Sequence, residues 1–184
     1  MQPLYWLVAD QIAAGPYPGS PEPGTARAKV RWIAGQGIGA FVDLTEPGEL
    51  TQLGPLVPYD DALAEVAAET GNGLERLAFP IPDMGAPTPE TMVRILDAMD
   101  ERLRAGRRLY VHCLGGRGRT GVVLGCYLVR HAPRLLGTDD PAEAPERALR
   151  AIVDRRRAFG MPFAGDSPQS EAQFQMVWSW RVGR

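Results

Sequence analysis

Lysine is almost missing from this chain: Lys29 stands alone among 20 basic side chains, the rest being arginine. That bias reads as genome composition and says nothing about the fold. Basic and acidic residues nearly cancel, 20 against 22, for a formal net charge of −2, which predicts no general attraction to nucleic acid or to an acidic membrane. Cysteine is scarce too. Two thiols, Cys113 and Cys126, are too few for a disulfide framework. Two histidines without a cysteine cluster argue against a structural zinc, so neither metal nor other cofactor is expected. No apolar run is long enough to span a membrane, and the N-terminus lacks the basic and apolar blocks of a signal peptide. A reactive thiol needs a reducing compartment, so the expected location is the cytoplasm. What remains is ordinary globular protein. At 184 residues, 45% apolar and 23% charged, the chain is expected to form a single domain over residues 1–184 with a proper core.

The most informative stretch is His112-Cys113-Leu114-Gly115-Gly116-Arg117-Gly118-Arg119-Thr120-Gly121. Arg108 to His112 reads as a short buried strand, and Val122 to Arg130 as an apolar helix. A strand, a glycine-rich turn and a helix N-terminus aim backbone N–H groups and a helix dipole at one point, which suits an anion. Cys113 opens the turn and Arg119 closes it. The dipole and the guanidinium both favour thiolate over thiol, which predicts a nucleophile at Cys113. Arg119 can fork onto a phosphate or sulfate. Thr120 can offer its hydroxyl to the sulfur, and Gly115, Gly116 and Gly118 let the backbone approach the anion closely. Leu114 and Arg117 complete the expected phosphate-binding loop. A Walker-type nucleotide loop is rejected, because Arg119 stands where its lysine would be.

Along the chain, Leu4–Val8 and Ile12–Ala14 suggest two opening strands in a hairpin, followed by a proline-rich loop from Gly15 to Gly24. Tyr17 is read as packed under that loop. Thr25–Gln36 has helical spacing and stops at Gly35 and Gly37. Ala40–Leu44 is a strand, with Thr45-Glu46-Pro47-Gly48 at its C-terminal end, where ligands bind in open α/β sheets. Asp60–Thr70 is a helix and Leu74–Phe79 a strand. Pro80 to Pro89 forms a proline-stiffened loop around Asp83, a carboxyl placed to protonate a leaving alkoxide or phenoxide. Thr88–Arg104 is a helix with Thr88 as N-cap and Pro89 at its first position. His131–Pro141 is polar turn and Ala142–Phe159 a helix, whose Arg155-Arg156-Arg157 run is read as a solvated C-terminus. The last helix is expected from Ser167 to about Val182, with Gln169 and Gln173 one turn apart and able to orient a water.

The spacing Cys-x5-Arg-Thr, preceded by His and followed by Gly, resembles the cysteine-based phosphatases of the tyrosine and dual-specificity superfamily. With Leu44-Thr45-Glu46, Ile81-Pro82-Asp83 and Gln169 to Gln173 in order, the similarity runs from roughly Ala40 to Gln173 and is closest to the small dual-specificity group. The resemblance implies an α/β fold with a central, mostly parallel sheet of four or five strands flanked by helices. It implies hydrolysis in two steps without metal. Cys113 takes the phosphoryl group while Asp83 protonates the leaving oxygen; a water held by Gln169 or Gln173 then attacks phosphocysteine with Asp83 as base. Arg119 and the loop amides stabilise the transition state. His112 is implied to tune the thiolate through hydrogen bonds to the loop backbone, and Glu46 to support the loop or Arg119. Cys126 is read as a small core residue rather than a redox partner of Cys113.

Gly118 stands before the loop arginine as in the tyrosine-specific branch. Arg117 occupies a place where lipid and inositol-phosphate members often carry lysine, but Leu114 stands where they carry a second basic residue. The leading reading is a phosphatase of phosphotyrosine proteins or peptides, with phosphoserine and phosphothreonine as a wider range. The alternatives are an inositol-phosphate or phosphoinositide phosphatase and a catalytically silent phosphate-binding module. A monomer without nucleic-acid partners is expected.

Overall fold

The computed structural model describes residues 3–52 and 54–184. Its elements are β1 (Tyr5–Val8), β2 (Ile12–Gly15), α1 (Pro23–Ala34), β3 (Ile38–Asp43), β4 (Leu50–Thr51), β5 (Gly54–Pro55), α2 (Asp60–Thr70), β6 (Glu75–Ala78), α3 (Pro89–Arg104), β7 (Arg108–His112), α4 (Gly118–Arg130), α5 (Ala132–Leu135), α6 (Ala144–Ala158) and α7 (Glu171–Ser179). Five strands form one sheet in the order β1-β2-β7-β3-β6. Strands β2, β7, β3 and β6 run parallel, and β1 pairs antiparallel with β2 as the predicted hairpin. The expected α/β architecture with a mostly parallel central sheet is what the chain adopts.

The pleat sorts the core into two layers. On β7, Leu109 and Val111 join one cluster while Tyr110 joins the other; on β3, Val42 and Phe41 divide in the same way. Helices α1 and α2 cover the Tyr110 face, and α3, α4, α6 and α7 cover the opposite one. Every residue of α4 is buried. A helix apolar all round belongs inside a protein, and α4 carries the C-terminal half of the glycine-rich stretch into the centre of its layer.

Local signals account for most element ends. Thr88 Oγ1 accepts from the Thr91 amide at 3.2 Å, capping α3 above Pro89. Gly71 ends α2 in the left-handed region. Four expectations shift. Helix α1 starts at Pro23, inside the proline-rich loop, because Glu22 caps it by accepting from the amides of Gly24 and Thr25. Helix α4 starts at Gly118, inside the turn, rather than at Val122. The stretch 131–141 contains the short helix α5. The last helix starts at Glu171 and ends at Ser179, because Ser170 and Gln173 build a capping box that fixes the first turn later than Ser167. Among the described residues, no helix is long and apolar enough to cross a membrane.

Because the four parallel strands point one way, their C-terminal ends share an edge, and the loops after Gly15, Asp43, Ala78 and His112 meet there. The register sets Asp43 beside His112, and Gly15 beside His112 from the other side. Packing of α4 against α7 is close at Gly125, where an added Cβ would lie 2.7 Å from Val177 Cγ2. Valine is stiff at χ1 and does not swing aside. Gly125→Leu is therefore expected to lower stability by about 1–3 kcal/mol through overpacking, read as a lower urea midpoint at unchanged slope.

Candidate active site

The loop from Cys113 to Arg117 is shaped by what its carbonyl groups bind. The Leu44 amide donates to His112 O at 3.0 Å, and the Tyr17 amide to Leu114 O at 2.9 Å. Arg156 Nη1 donates to Gly116 O at 2.7 Å, and Ser167 Oγ to Arg117 O at 2.9 Å. Each donor belongs to another part of the chain and approaches from outside the loop. In a planar trans peptide the following N–H points opposite to the C=O, so outward carbonyls at Leu114, Gly116 and Arg117 turn the amides of Gly115, Arg117 and Gly118 inward. Gly116 makes this possible with φ +65°, and a Cβ there would lie 2.3 Å from Gly15 O. The result is an amide-lined nest at the N-terminus of α4, with Cys113 buried at its base.

Arg119 closes the nest. It is almost wholly buried, and each of its terminal nitrogens is committed. Glu49 grips both, with Nη2 donating to Oε1 at 2.7 Å and Nη1 to Oε2. Nη1 also donates to Ile81 O at 3.2 Å, and Nη2 meets Asp83 Oδ1 at 3.0 Å. Burial alone would raise the Glu49 pKa, but the hydrogen bonds and charge of Arg119 outweigh it and hold Glu49 below the ordinary carboxylate range. Asp83, on an exposed loop, is thus brought to the rim of the nest. Thr120 Oγ1 is buried without a hydrogen-bond partner among the described residues, a hydroxyl still able to donate.

The expected support from Glu46 is corrected by this geometry. Glu46 is exposed, and its own amide donates to Glu49 Oε2 at 3.3 Å. The turn from Glu46 carries the chain back so that Glu49 faces Arg119, three residues later than the sequence suggested. The two glutamines also divide. A Cβ on Gly118 would lie 2.9 Å from Oε1 of both, so both face the loop. Gln173 is buried and occupied: its Oε1 accepts from the amides of Gln169 and Ser170, and its Nε2 donates to Gly85 O at 2.9 Å. It ties α7 to the Asp83 loop. Gln169 precedes the helix and is exposed, and its side-chain amide makes no hydrogen bond among the described residues.

Behind the nest lies a polar cluster that the sequence did not reveal. Asp43 is fully buried, accepting from Thr45 Oγ1 at 2.7 Å and from Arg76 Nε at 2.9 Å. His112 Nε2 lies 2.8 Å from Tyr59 Oη, and its Nδ1 is 3.8 Å from Asp43 Oδ1 without completing a hydrogen bond among the described residues. The implied tuning of the loop by His112 thus has its firm contact on the far side, at Tyr59. Burial pulls the His112 pKa down to about 4, against the opposing pull of Asp43 and the Cys113 backbone. The ring therefore stays neutral at neutral pH.

Arg156 is the second omission. The sequence reading left it on a solvated helix end; Arg155 and Arg157 are exposed there, but Arg156 is fully buried. Besides Gly116 O it holds Pro162 O at 3.0 Å, and its guanidinium lies 5.5 Å from the Tyr5 ring centre. No carboxylate pairs with it among the described residues. A buried cation without a counter-charge is costly, and this one sits behind a loop built to receive an anion. Nothing in a run of three arginines marks the middle one except its i+4 spacing from the buried Ile152.

Comparison with known proteins agrees with this geometry. Residues 19–133 match the family model described as "Polymorphic toxin system, DSP-PTPase phosphatase". The chain belongs to that family. The phosphatase is 28% identical over 132 residues to Putative tyrosine phosphatase 067L of Invertebrate iridescent virus 3, covering 70% of this chain and 46% of that protein. It is 30% identical over 96 residues to Phosphatidylglycerophosphate phosphatase PTPMT2 of Arabidopsis thaliana, covering 52% and 37%. The chain thus spans less than half the length of these curated relatives. The crystal structure of Tk-PTP in the active form shares the fold at a TM-score of 0.68 and 24% identity, over 95% of this chain and 93% of that one. Family model, curated relatives and fold agree on the tyrosine and dual-specificity phosphatase class.

Two outcomes test the site. Replacing Arg156 with Met removes a charged donor from Gly116 O, and vanadate affinity measured by calorimetry is expected to fall about 10- to 100-fold in a protein that still melts cooperatively. His112 is held below its ordinary value of 6.5, so the unfolded chain takes up its proton first as pH falls. Stability from this group is full above about pH 6.5 and is lost towards pH 4, at up to about 1.4 kcal/mol per pH unit. Urea unfolding across that range is expected to show a shallower pH slope in His112→Asn.

Proposed function

We propose that the phosphatase hydrolyses phosphotyrosine in proteins or peptides, with phosphoserine and phosphothreonine as a wider range, through a phosphocysteine intermediate. The observation that carries the proposal is the nest itself: inward amides and the Arg119 fork surround a space whose base is Cys113, while Asp83 stands at its rim. In the first step Sγ attacks phosphorus in line and the P–O bond to the substrate breaks. The leaving oxygen takes the proton of the Asp83 carboxyl. The amides and Arg119 bind the equatorial oxygens, whose charge is spread in a loose transition state. Nε of Arg119 takes one oxygen, and Nη2 exchanges Asp83 for another. In the second step water attacks phosphorus, gives its proton to the Asp83 carboxylate, and the S–P bond breaks. Gln169, whose side chain faces Gly118 and makes no hydrogen bond among the described residues, is the better placed of the two glutamines to orient that water.

The inositol-phosphate or phosphoinositide reading draws support from Arg117 in the loop and from the relative described as a phosphatidylglycerophosphate phosphatase. Arg117 is partly spent, however, on Asp166 at 3.3 Å and on the face of Phe163 at 4.8 Å. The peptide reading is therefore preferred.

Hydrolysis of p-nitrophenyl phosphate in EDTA tests the chemistry. Cys113→Ser is expected to reduce turnover to background. Asp83→Asn is expected to lower kcat about 10²- to 10⁴-fold on phenyl phosphate, and less on p-nitrophenyl phosphate, whose leaving group needs a proton less. Pure, folded wild type that binds vanadate without turning over either ester would sink the mechanism and leave the silent binding module. A higher kcat/KM on inositol polyphosphates than on phosphotyrosine peptides would replace the substrate class.

A further inference from the structure

Beside the catalytic loop lies a cavity of about 640 Å³. Leu114 of the loop and Tyr17, whose amide holds Leu114 O, form part of its wall. Leu50, the neighbour of the Glu49 that grips Arg119, forms another part. A group in this cavity therefore lies next to whatever occupies the nest.

Its electrostatics are one-sided. Among the described residues no Asp or Glu lines the cavity, and the one charged residue on its wall is Lys29, the only lysine of the chain. Helix α1 carries three cations in one stretch. Arg27 pairs with Glu65 at 3.3 Å, and Arg31 pairs with Glu69, both across to α2. Lys29 turns the other way. Its Nζ donates to Gly19 O at 3.1 Å, and no carboxylate pairs with it among the described residues. Partial burial lowers its pKa, as expected of an ammonium short of a counter-charge.

The remaining walls indicate what form of anion would fit. Leu50 is 78% exposed and Val57 40% exposed, and with the Tyr17 ring they present apolar surface. Thr51 adds a polar edge. An aliphatic stem ending in a carboxylate uses both features, its methylenes on the apolar walls and its charge on Lys29. A free oxyanion or a polyhydroxylated ring would leave the apolar walls unused.

We propose that the Lys29 cavity is a second, anionic subsite that takes an acidic side chain lying close to the phosphorylated residue of a peptide substrate. This rests on the phosphatase reading for its biological sense, and it is tested so that the two can fail separately. Phosphotyrosyl peptides carrying Glu or Gln at single positions, within about three residues of the phosphotyrosine, are bound to Cys113→Ser and turned over by wild type. Each is repeated with Lys29→Met and Lys29→Arg, with p-nitrophenyl phosphate as the control too small to reach the cavity. One Glu position is expected to bind about tenfold tighter than its Gln counterpart, the size of one charge-assisted hydrogen bond. The same preference is expected in KM rather than kcat. Lys29→Met should abolish the preference, Lys29→Arg should retain part of it, and kcat/KM for p-nitrophenyl phosphate should stay within about twofold. Lys29-dependent discrimination in binding, without turnover of either substrate, would uphold the subsite while defeating the catalytic reading. An unchanged Glu-to-Gln ratio in Lys29→Met would overturn the subsite. So would discrimination confined to inositol polyphosphates.

Discussion

The site depends on where the catalytic loop sends its carbonyl groups. A tight turn has as many acceptors as donors, and left to itself it would show both to a bound anion. Here Tyr17, Arg156 and Ser167 draw three carbonyls outward, and the rigid peptide planes then face their paired amides inward. The three donors come from three places in the chain: the loop after β2, helix α6 and the turn before α7. An anion nest made this way costs little reorganisation when a phosphoryl group arrives, and that is the condition under which fixed dipoles lower a barrier.

The charges around the nest follow the same logic. Arg119 would be free to swing if it bore only one partner; Glu49 and Ile81 O hold its plane, and Asp83 shares its remaining edge. Acid and arginine are thus coupled before substrate binds. On the inner side, Asp43, Arg76, Tyr59 and His112 join the ends of β3, β6 and β7. Burial keeps His112 neutral, so the ring itself adds no positive charge behind the loop at neutral pH. Arg156 supplies the positive charge there instead, and it does so through a carbonyl.

A single buried glutamine joins helix α7 to the loop that carries Asp83. Gln173 caps its own helix and reaches Gly85 in the Asp83 loop, so α7 and the acid loop share an anchor. Its place on the sequence suggested a water-orienting role. It is buried with both ends of its side-chain amide engaged, whereas the Gln169 side chain, outside the helix, makes no hydrogen bond among the described residues.

What the sequence by itself determined was whatever acts over short separations. The ten residues from His112 to Gly121 form a strand end, a glycine-permitted turn and a helix start, so the place of the loop, with its cysteine and its arginine, was legible without any distant contact. Helix caps, strand alternation and the Asp83 loop belong to the same class. Tertiary structure decided the partners that arrive from afar: Glu49 lies 70 positions from Arg119, Arg156 lies 40 from Gly116, and Gln173 lies 88 from Gly85. No local pattern distinguishes Glu49 from Glu46, or Arg156 from its two neighbours. Each was selected only when packing brought one of several side chains within reach of its partner.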